Sequence, residues 1–127
     1  MQRTLLLIDD DPDDYRLIHD CLLQVVMSSP IHFEIGGKEA FEYLEKNINN
    51  LPILVILDVN LPQMSGMEVL ETIRKKYHIP VIMYTTSCTD EIIQKSKILG
   101  AIDCVKKGTS YVDNLRFAKR VVEMMKK

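Results

Sequence analysis

The chain has 127 residues, 46 % hydrophobic and 27 % charged, with a formal net charge of −2 at pH 7. That length fits one domain with a real core, and the composition is ordinary for a globular protein. The charge argues against a basic nucleic-acid binder, the cluster Lys119, Arg120, Lys126 and Lys127 reading as a solvated helix end.

The apolar stretch after Arg3 is too short for a signal peptide, and no run approaches a membrane span. Cys21, Cys88 and Cys104 are odd in number and share no metal-type spacing. They read as free thiols in a reducing compartment, so a cytoplasmic protein is expected.

The first strand is expected over Thr4 to Ile8, an apolar run that ends in aspartates: five of the six residues from Asp9 to Asp14. Asp11-Pro12 marks a helix start, with proline at the first helical position and Asp13 and Asp14 in the positive first turn. Asp11, Asp13 and Asp14 thus read as caps and dipole partners rather than ligands. A second strand, weaker because it alternates, is expected over Ile31 to Ile35. The third, Ile53 to Leu57, stops at Asp58. Ser65 with Glu68 has capping-box spacing, and Leu70, Ile73 and Tyr77 share a helix face. A fourth strand over Val81 to Tyr84 leads to Thr85, and Ser87 with Asp90 gives the next capping box. The fifth, Ile102 to Val105, leads to Lys107; Ser110 with Asp113 then opens a helix with Leu115, Ala118, Val122 and Met125 on one face. Alternating apolar runs and amphipathic stretches predict an α/β fold, a five-stranded parallel sheet doubly wound with helices on both faces. The order 2-1-3-4-5 is one of the two common for such sheets.

Ligands of open α/β sheets bind at the carboxyl ends of the strands. That edge collects Asp9, Asp10, Asp58, Thr85 and Lys107. Acidic strand ends that meet repel by about 4 kcal/mol per pair at ~4 Å and an effective dielectric of ~20. A cation, a raised pKa or a nearby lysine must offset this. Carboxylates suit a hard cation such as Mg²⁺, while hydroxyl and ammonium can neutralise phosphoryl oxygens. A central carboxylate can then attack phosphorus and hold it as an acyl phosphate.

Four segments resemble those of response-regulator receiver domains, in order and along essentially the whole chain. Leu7-Ile8-Asp9-Asp10-Asp11-Pro12-Asp13-Asp14 resembles the acidic pocket. Leu57-Asp58-Val59-Asn60-Leu61-Pro62-Gln63-Met64-Ser65-Gly66 resembles the phosphoacceptor loop. Pro80 to Ser87 resembles the switch-threonine strand, and Gly100 to Lys107 the segment ending in the family lysine. The resemblance implies a flavodoxin-like three-layer sandwich with order 2-1-3-4-5 and a single-domain regulator over residues 1–127 without an output domain. It implies that Asp58 takes a phosphoryl group from a phosphohistidine, with Thr85 and Lys107 pairing with phosphoryl oxygens. Asp10 and Asp58 would ligate Mg²⁺, Asp9 would act largely through water, and the Asn60 main-chain carbonyl would complete the shell. The implied partners are a sensor histidine kinase or histidine-phosphotransfer protein, docking near the first helix and the loop after the fifth strand, and a downstream protein. Neither nucleic acid nor membrane is a direct partner, and self-association would use the face of helix 4, strand 5 and helix 5.

Three departures concern the output route. Cys104 stands where the family usually has an aromatic ring, and Gly108 where it usually has proline; Thr86 replaces a common alanine. A cis peptide before a non-proline residue costs ~3–4 kcal/mol, so a trans Lys107-Gly108 bond is expected, with glycine's freedom in φ absorbing the changed path. Other readings are weaker. A degenerate receiver binding partners without phosphorylation would not need all five site residues. A phosphatase of the haloacid-dehalogenase type, suggested by Asp9-x-Asp11, lacks room for a cap and is spoiled by Pro12. A flavin module would need a phosphate-cradling loop where this chain is all acid.

Overall fold

The computed structural model describes residues 4–25 and 29–126, so Arg3 and Lys127 lie outside the described residues. Five strands alternate with five helices: β1 (Leu5–Ile8), α1 (Pro12–Val25), β2 (Ile31–Glu34), α2 (Gly37–Lys46), β3 (Leu54–Leu57), α3 (Gly66–Thr72), β4 (Val81–Thr85), α4 (Asp90–Ile98), β5 (Asp103–Lys106) and α5 (Tyr111–Met125). All pairings are parallel and the order is β2-β1-β3-β4-β5, as expected. Each strand agrees with the sequence reading to within a residue at either end. The largest departure is β5, which starts and ends one residue later because Asp103, not Ile102, pairs with Ile82.

Successive strand side chains point to opposite faces, and here both faces are apolar. Leu5 and Leu7 of β1, with Leu54 and Ile56 of β3, meet Ile18 and Leu22 of α1 and Phe117, Ala118 and Val121 of α5. Leu6 and Ile8, with Val55 and Leu57, meet Ala40 and Leu44 of α2 and Met67, Val69 and Leu70 of α3. Ile92 and Ile93 of α4 complete that second core. The buried face of α5 is Asn114, Phe117, Ala118 and Val121, one position off the expected stripe, with Leu115 and Val122 at its margins.

Capping follows the expected pattern at two of three places. Ser65 accepts from the Glu68 N–H and Ser110 from the Asp113 N–H. α4 is capped instead by Thr89, which accepts from the Ile92 N–H, two residues beyond the expected Ser87. After Thr72 the helix widens into a π-helical segment, Ile73–Tyr77, that ends at His78 in the left-handed region (φ 58°). Ile73 and Tyr77 nevertheless stay buried with Leu70, on the face the spacing predicts.

The backbone packs very closely where α3 follows β3. A Cβ on Gly66 would lie 2.1 Å from the Asp58 carbonyl oxygen and 2.6 Å from Val59 Cα. Neither neighbour is a flexible side chain, so the loop carrying Asp58 is seated directly on the start of α3. Gly66→Ala is therefore expected to destabilise the protein by about 2 kcal/mol or more, through forced backbone displacement. Urea denaturation checks this, and an unchanged midpoint would show that the loop yields freely.

Candidate functional site

The carboxyl ends of β1, β3, β4 and β5 bring Asp9, Asp10, Asp58, Thr85 and Lys107 to one edge of the sheet. Lys107 is 8 % exposed and its ammonium meets three carboxylates: Asp9 Oδ2 at 2.6 Å, Asp58 Oδ2 at 2.8 Å and Asp14 Oδ2 at 2.8 Å. The second oxygens of the two buried acids are held by main chain. Asp9 Oδ1 accepts from the Asp11 N–H at 3.0 Å and Asp58 Oδ1 from the Asn60 N–H at 3.1 Å. Asp10 is exposed, and its carboxylate has no hydrogen bond or ion pair among the described residues.

Thr85 is fully buried at the end of β4. Its hydroxyl oxygen accepts from the Ser87 N–H at 3.2 Å and its carbonyl from the Lys107 N–H at 2.9 Å. The hydroxyl hydrogen has no acceptor among the described residues. Asn60 spans two loops, donating from Nδ2 to Ser87 Oγ at 2.7 Å. The turn before α3 carries Pro62 and then Gln63 in the left-handed region (φ 65°), a glycine-like position occupied by a larger residue. That turn walls an open cleft of about 410 Å³ with Asp10, Val59 and Asn60.

Lys107 is placed by its backbone as much as by its charge. The Gly108 N–H donates to Tyr84 Oη at 3.1 Å, and Tyr84 donates to Asn114 Oδ1 at 2.6 Å. Asn114 Nδ2 returns to the Gly108 carbonyl at 3.3 Å. The Lys107-Gly108 peptide is trans, as expected, but Gly108 is not in the left-handed region. Space, not φ, is what requires glycine there, since a Cβ would lie 2.2 Å from Asp113 Cβ.

Three carboxylates around one ammonium leave an excess of negative charge. Burial pushes the Asp9 carboxyl up from 3.8 to about 6, against the lowering effect of Lys107. Burial pulls the Lys107 ammonium down, but Asp14, Asp58 and Asp9 together raise it above the ordinary lysine range. One oxygen from each of Asp9, Asp10 and Asp58 can be chosen so that all lie within 4.8 Å of one another. An all-oxygen, surplus-negative set with one open carboxylate fits a hard divalent cation such as Mg²⁺.

Asp14 has the first-turn place that the sequence reading gave it, together with a contact that the reading missed. It sits in the first turn of α1, as a dipole partner would, yet its carboxylate turns back onto Lys107. The available signal was its position: a helix that starts four residues after a strand end keeps its first turn beside that end.

A family model described as the response regulator receiver domain matches residues 5–116. The chain belongs to that family. Among relatives, it is 32 % identical to protein-glutamate methylesterase/protein-glutamine glutaminase 1 of Methanosarcina acetivorans, over 98 % of this chain and 35 % of that protein. The chain spans 24–35 % of the length of several curated relatives it matches. Among solved structures, the Mn²⁺-bound response regulator Rcp1 superposes with a TM-score of 0.85 at 25 % identity, covering 97 % of this chain and 94 % of that one. The phosphorylated cyanobacterial phytochrome response regulator RcpA gives 0.86 at 27 % identity, covering 98 % and 94 %. This receiver domain is a module of two-component signalling. No helix among the described residues is long and apolar enough to cross a membrane.

The receiver's site makes a pH dependence with a defined sign. Folded Asp9 holds its proton more tightly than unfolded Asp9, so its contribution to stability is complete below pH 3.8 and is lost as pH rises through about 6. A shift of that size corresponds to about 3 kcal/mol. In chelator, Asp9→Asn should remove this decline, so that the variant gains stability relative to wild type across the window. Parallel urea titrations at several pH values would show it, and a constant difference between the two proteins would remove Asp9 as the source.

Proposed function

We propose that this receiver is a phosphoacceptor in which Asp58 takes a phosphoryl group from the phosphohistidine of a histidine kinase or a histidine-phosphotransfer protein. The observation that carries the reading is the Lys107 ammonium, shared by buried Asp58 and Asp9 beside the unpaired Asp10. An Asp58 oxygen attacks phosphorus, the P–N bond breaks with its electron pair going to the imidazole, and an acyl phosphate remains on Asp58. Lys107 follows the negative charge onto a phosphoryl oxygen, and Thr85 donates its uncommitted hydroxyl hydrogen to another. Asp10, Asp58 and the Asn60 carbonyl would hold Mg²⁺, with Asp9 acting largely through water. The bound ion supplies positive charge against the phosphoryl oxygens.

The signal is a local charge change that biases a two-state element. Moving Thr85 toward the phosphoryl group draws the 86–89 stretch with it, through the Ser87 N–H. Asn60 ties that stretch to the loop after β3, so the two loops shift together. Ile98, Ile102 and Val112 leave exposed apolar surface on α4, before β5 and on α5, where a downstream protein or a second copy would bind.

Treatment with acetyl phosphate or beryllofluoride, followed by intact mass or fluoride NMR, tests the assignment. Wild type is expected to take one group, only with a divalent metal, and Asp58→Asn none. An unchanged adduct on the Asn variant would end the assignment. Asp10→Asn should weaken Mg²⁺ by about tenfold or more, about 1.4 kcal/mol, whereas Asp13→Asn should not. Equal effects in a metal titration would place the ion elsewhere.

A further inference from the structure

Cys88 lies in the irregular stretch between β4 and α4, half-buried, and Cys104 lies on β5, buried. Their sulfurs are 4.0 Å apart, and Cys88 Sγ is 3.7 Å from the Cys104 carbonyl oxygen. Cys104 points into the core formed with α2, α3 and α4, against which Cys88 also packs. Cys21 is on the other face of the sheet, in the core formed with α1 and α5, where its thiol faces the Tyr111 carbonyl.

We propose that Cys88 and Cys104 are an oxidisable dithiol that a hydroperoxide converts to an intrachain disulfide. A disulfide needs sulfurs at about 2.05 Å, so the pair must close by about 2 Å. Rotation about the Cys88 side chain and adjustment of residues 86–89, which carry no ladder hydrogen bonds, can supply that movement; Cys104 is fixed in register with Met83.

Exposure sets the order of events. Cys88 is the accessible thiol, whereas burial and the neighbouring Cys88 push the Cys104 thiol up to about 11. The Cys88 thiolate attacks the peroxide, its sulfur is oxidised to a sulfenic acid, and the O–O bond is reduced with release of water. Cys104 sulfur then attacks Cys88 sulfur, and its proton leaves with the departing hydroxide as a second water. Two thiols and one hydrogen peroxide thus give one disulfide and two waters.

The bond would join two segments that the site depends on. Thr85 precedes Cys88 by three residues, and Lys107 follows Cys104 by three. A link there would hold the 86–89 stretch to β5 at the position where the family usually has its aromatic ring. The meaning of that lock for signalling rests on the phosphoacceptor reading; the disulfide itself does not.

The test exposes folded protein to hydrogen peroxide, blocks remaining thiols with an alkylating agent, and reads intact mass and disulfide-linked peptides. Wild type is expected to lose two hydrogens, to retain one alkylatable thiol, and to yield a peptide pair joined through Cys88 and Cys104 that reductant separates. Cys21→Ser should form the same link, and Cys88→Ser and Cys104→Ser should form none. Three alkylatable thiols in oxidant-treated wild type, a link through Cys21, or oxygen added to Cys88 without a link would each overturn the proposal. The wild-type peptide map decides even where a variant folds poorly. Because the readout is mass, its failure is separate from a failure of Asp58 to accept a phosphoryl group.

Discussion

Lys107 carries the one buried cation among the described residues, and it is placed where buried carboxylates from two strands converge. Without a positive charge there, nothing would offset the repulsion between the two buried carboxylates at such close range. The ammonium has three hydrogens, and all three are engaged by Asp9, Asp14 and Asp58. It therefore neutralises part of the acid cluster but cannot neutralise all of it. The remaining charge, concentrated at the open Asp10, is what makes the edge receptive to a divalent ion.

The scaffold holds these groups by unusually close backbone packing at two points. Gly66 lets the start of α3 press against the Asp58 carbonyl, and Gly108 lets the turn after β5 pass against Asp113. Both glycines serve through their small size, and both adjoin loops that carry site residues. Two apolar cores clamp the sheet between them. Five of the seven buried polar residues among those described, Asp9, Asp58, Thr85, Lys107 and Asn114, gather at the carboxyl edge, each with named partners, whereas Thr4 and Ser96 lie elsewhere.

Much of this was legible because parallel strands buried on both faces are nearly uninterrupted apolar runs, and their ends are marked by the first polar residue. Asp9, Asp58 and Thr85 are such residues, so the pattern that delimits the strands also locates the acids and the hydroxyl; at β5 the first polar residue after Val105 is Lys106, and it was the family resemblance that singled out Lys107. What local pattern could not convey was direction. Asp14 satisfies the rule for a helix first turn and also reaches Lys107, and nothing in its spacing separates the two roles. Ser87 had the capping spacing but is engaged by Asn60, 27 positions away in sequence, leaving Thr89 to cap α4. The α5 stripe was displaced because buried Asn114, polar and therefore absent from any apolar count, belongs to the inward face.

Asn114 gives α5 a hold on the far end of the site. Its side chain grips Gly108 directly and through Tyr84, while the Tyr84 ring stacks on Phe117 of the same helix at 3.7 Å. Helix, tyrosine and the residue after Lys107 are thereby one mechanical unit. A ligand that displaces α5 changes the setting of the ammonium, and a change at the ammonium alters the surface that α5 presents. Thermodynamic reciprocity makes the two effects equal in free energy. On the phosphoacceptor reading, a binding protein on that helix would act as an effector of the acid pocket, shifting the equilibrium of modification by the same factor with which modification alters its own affinity.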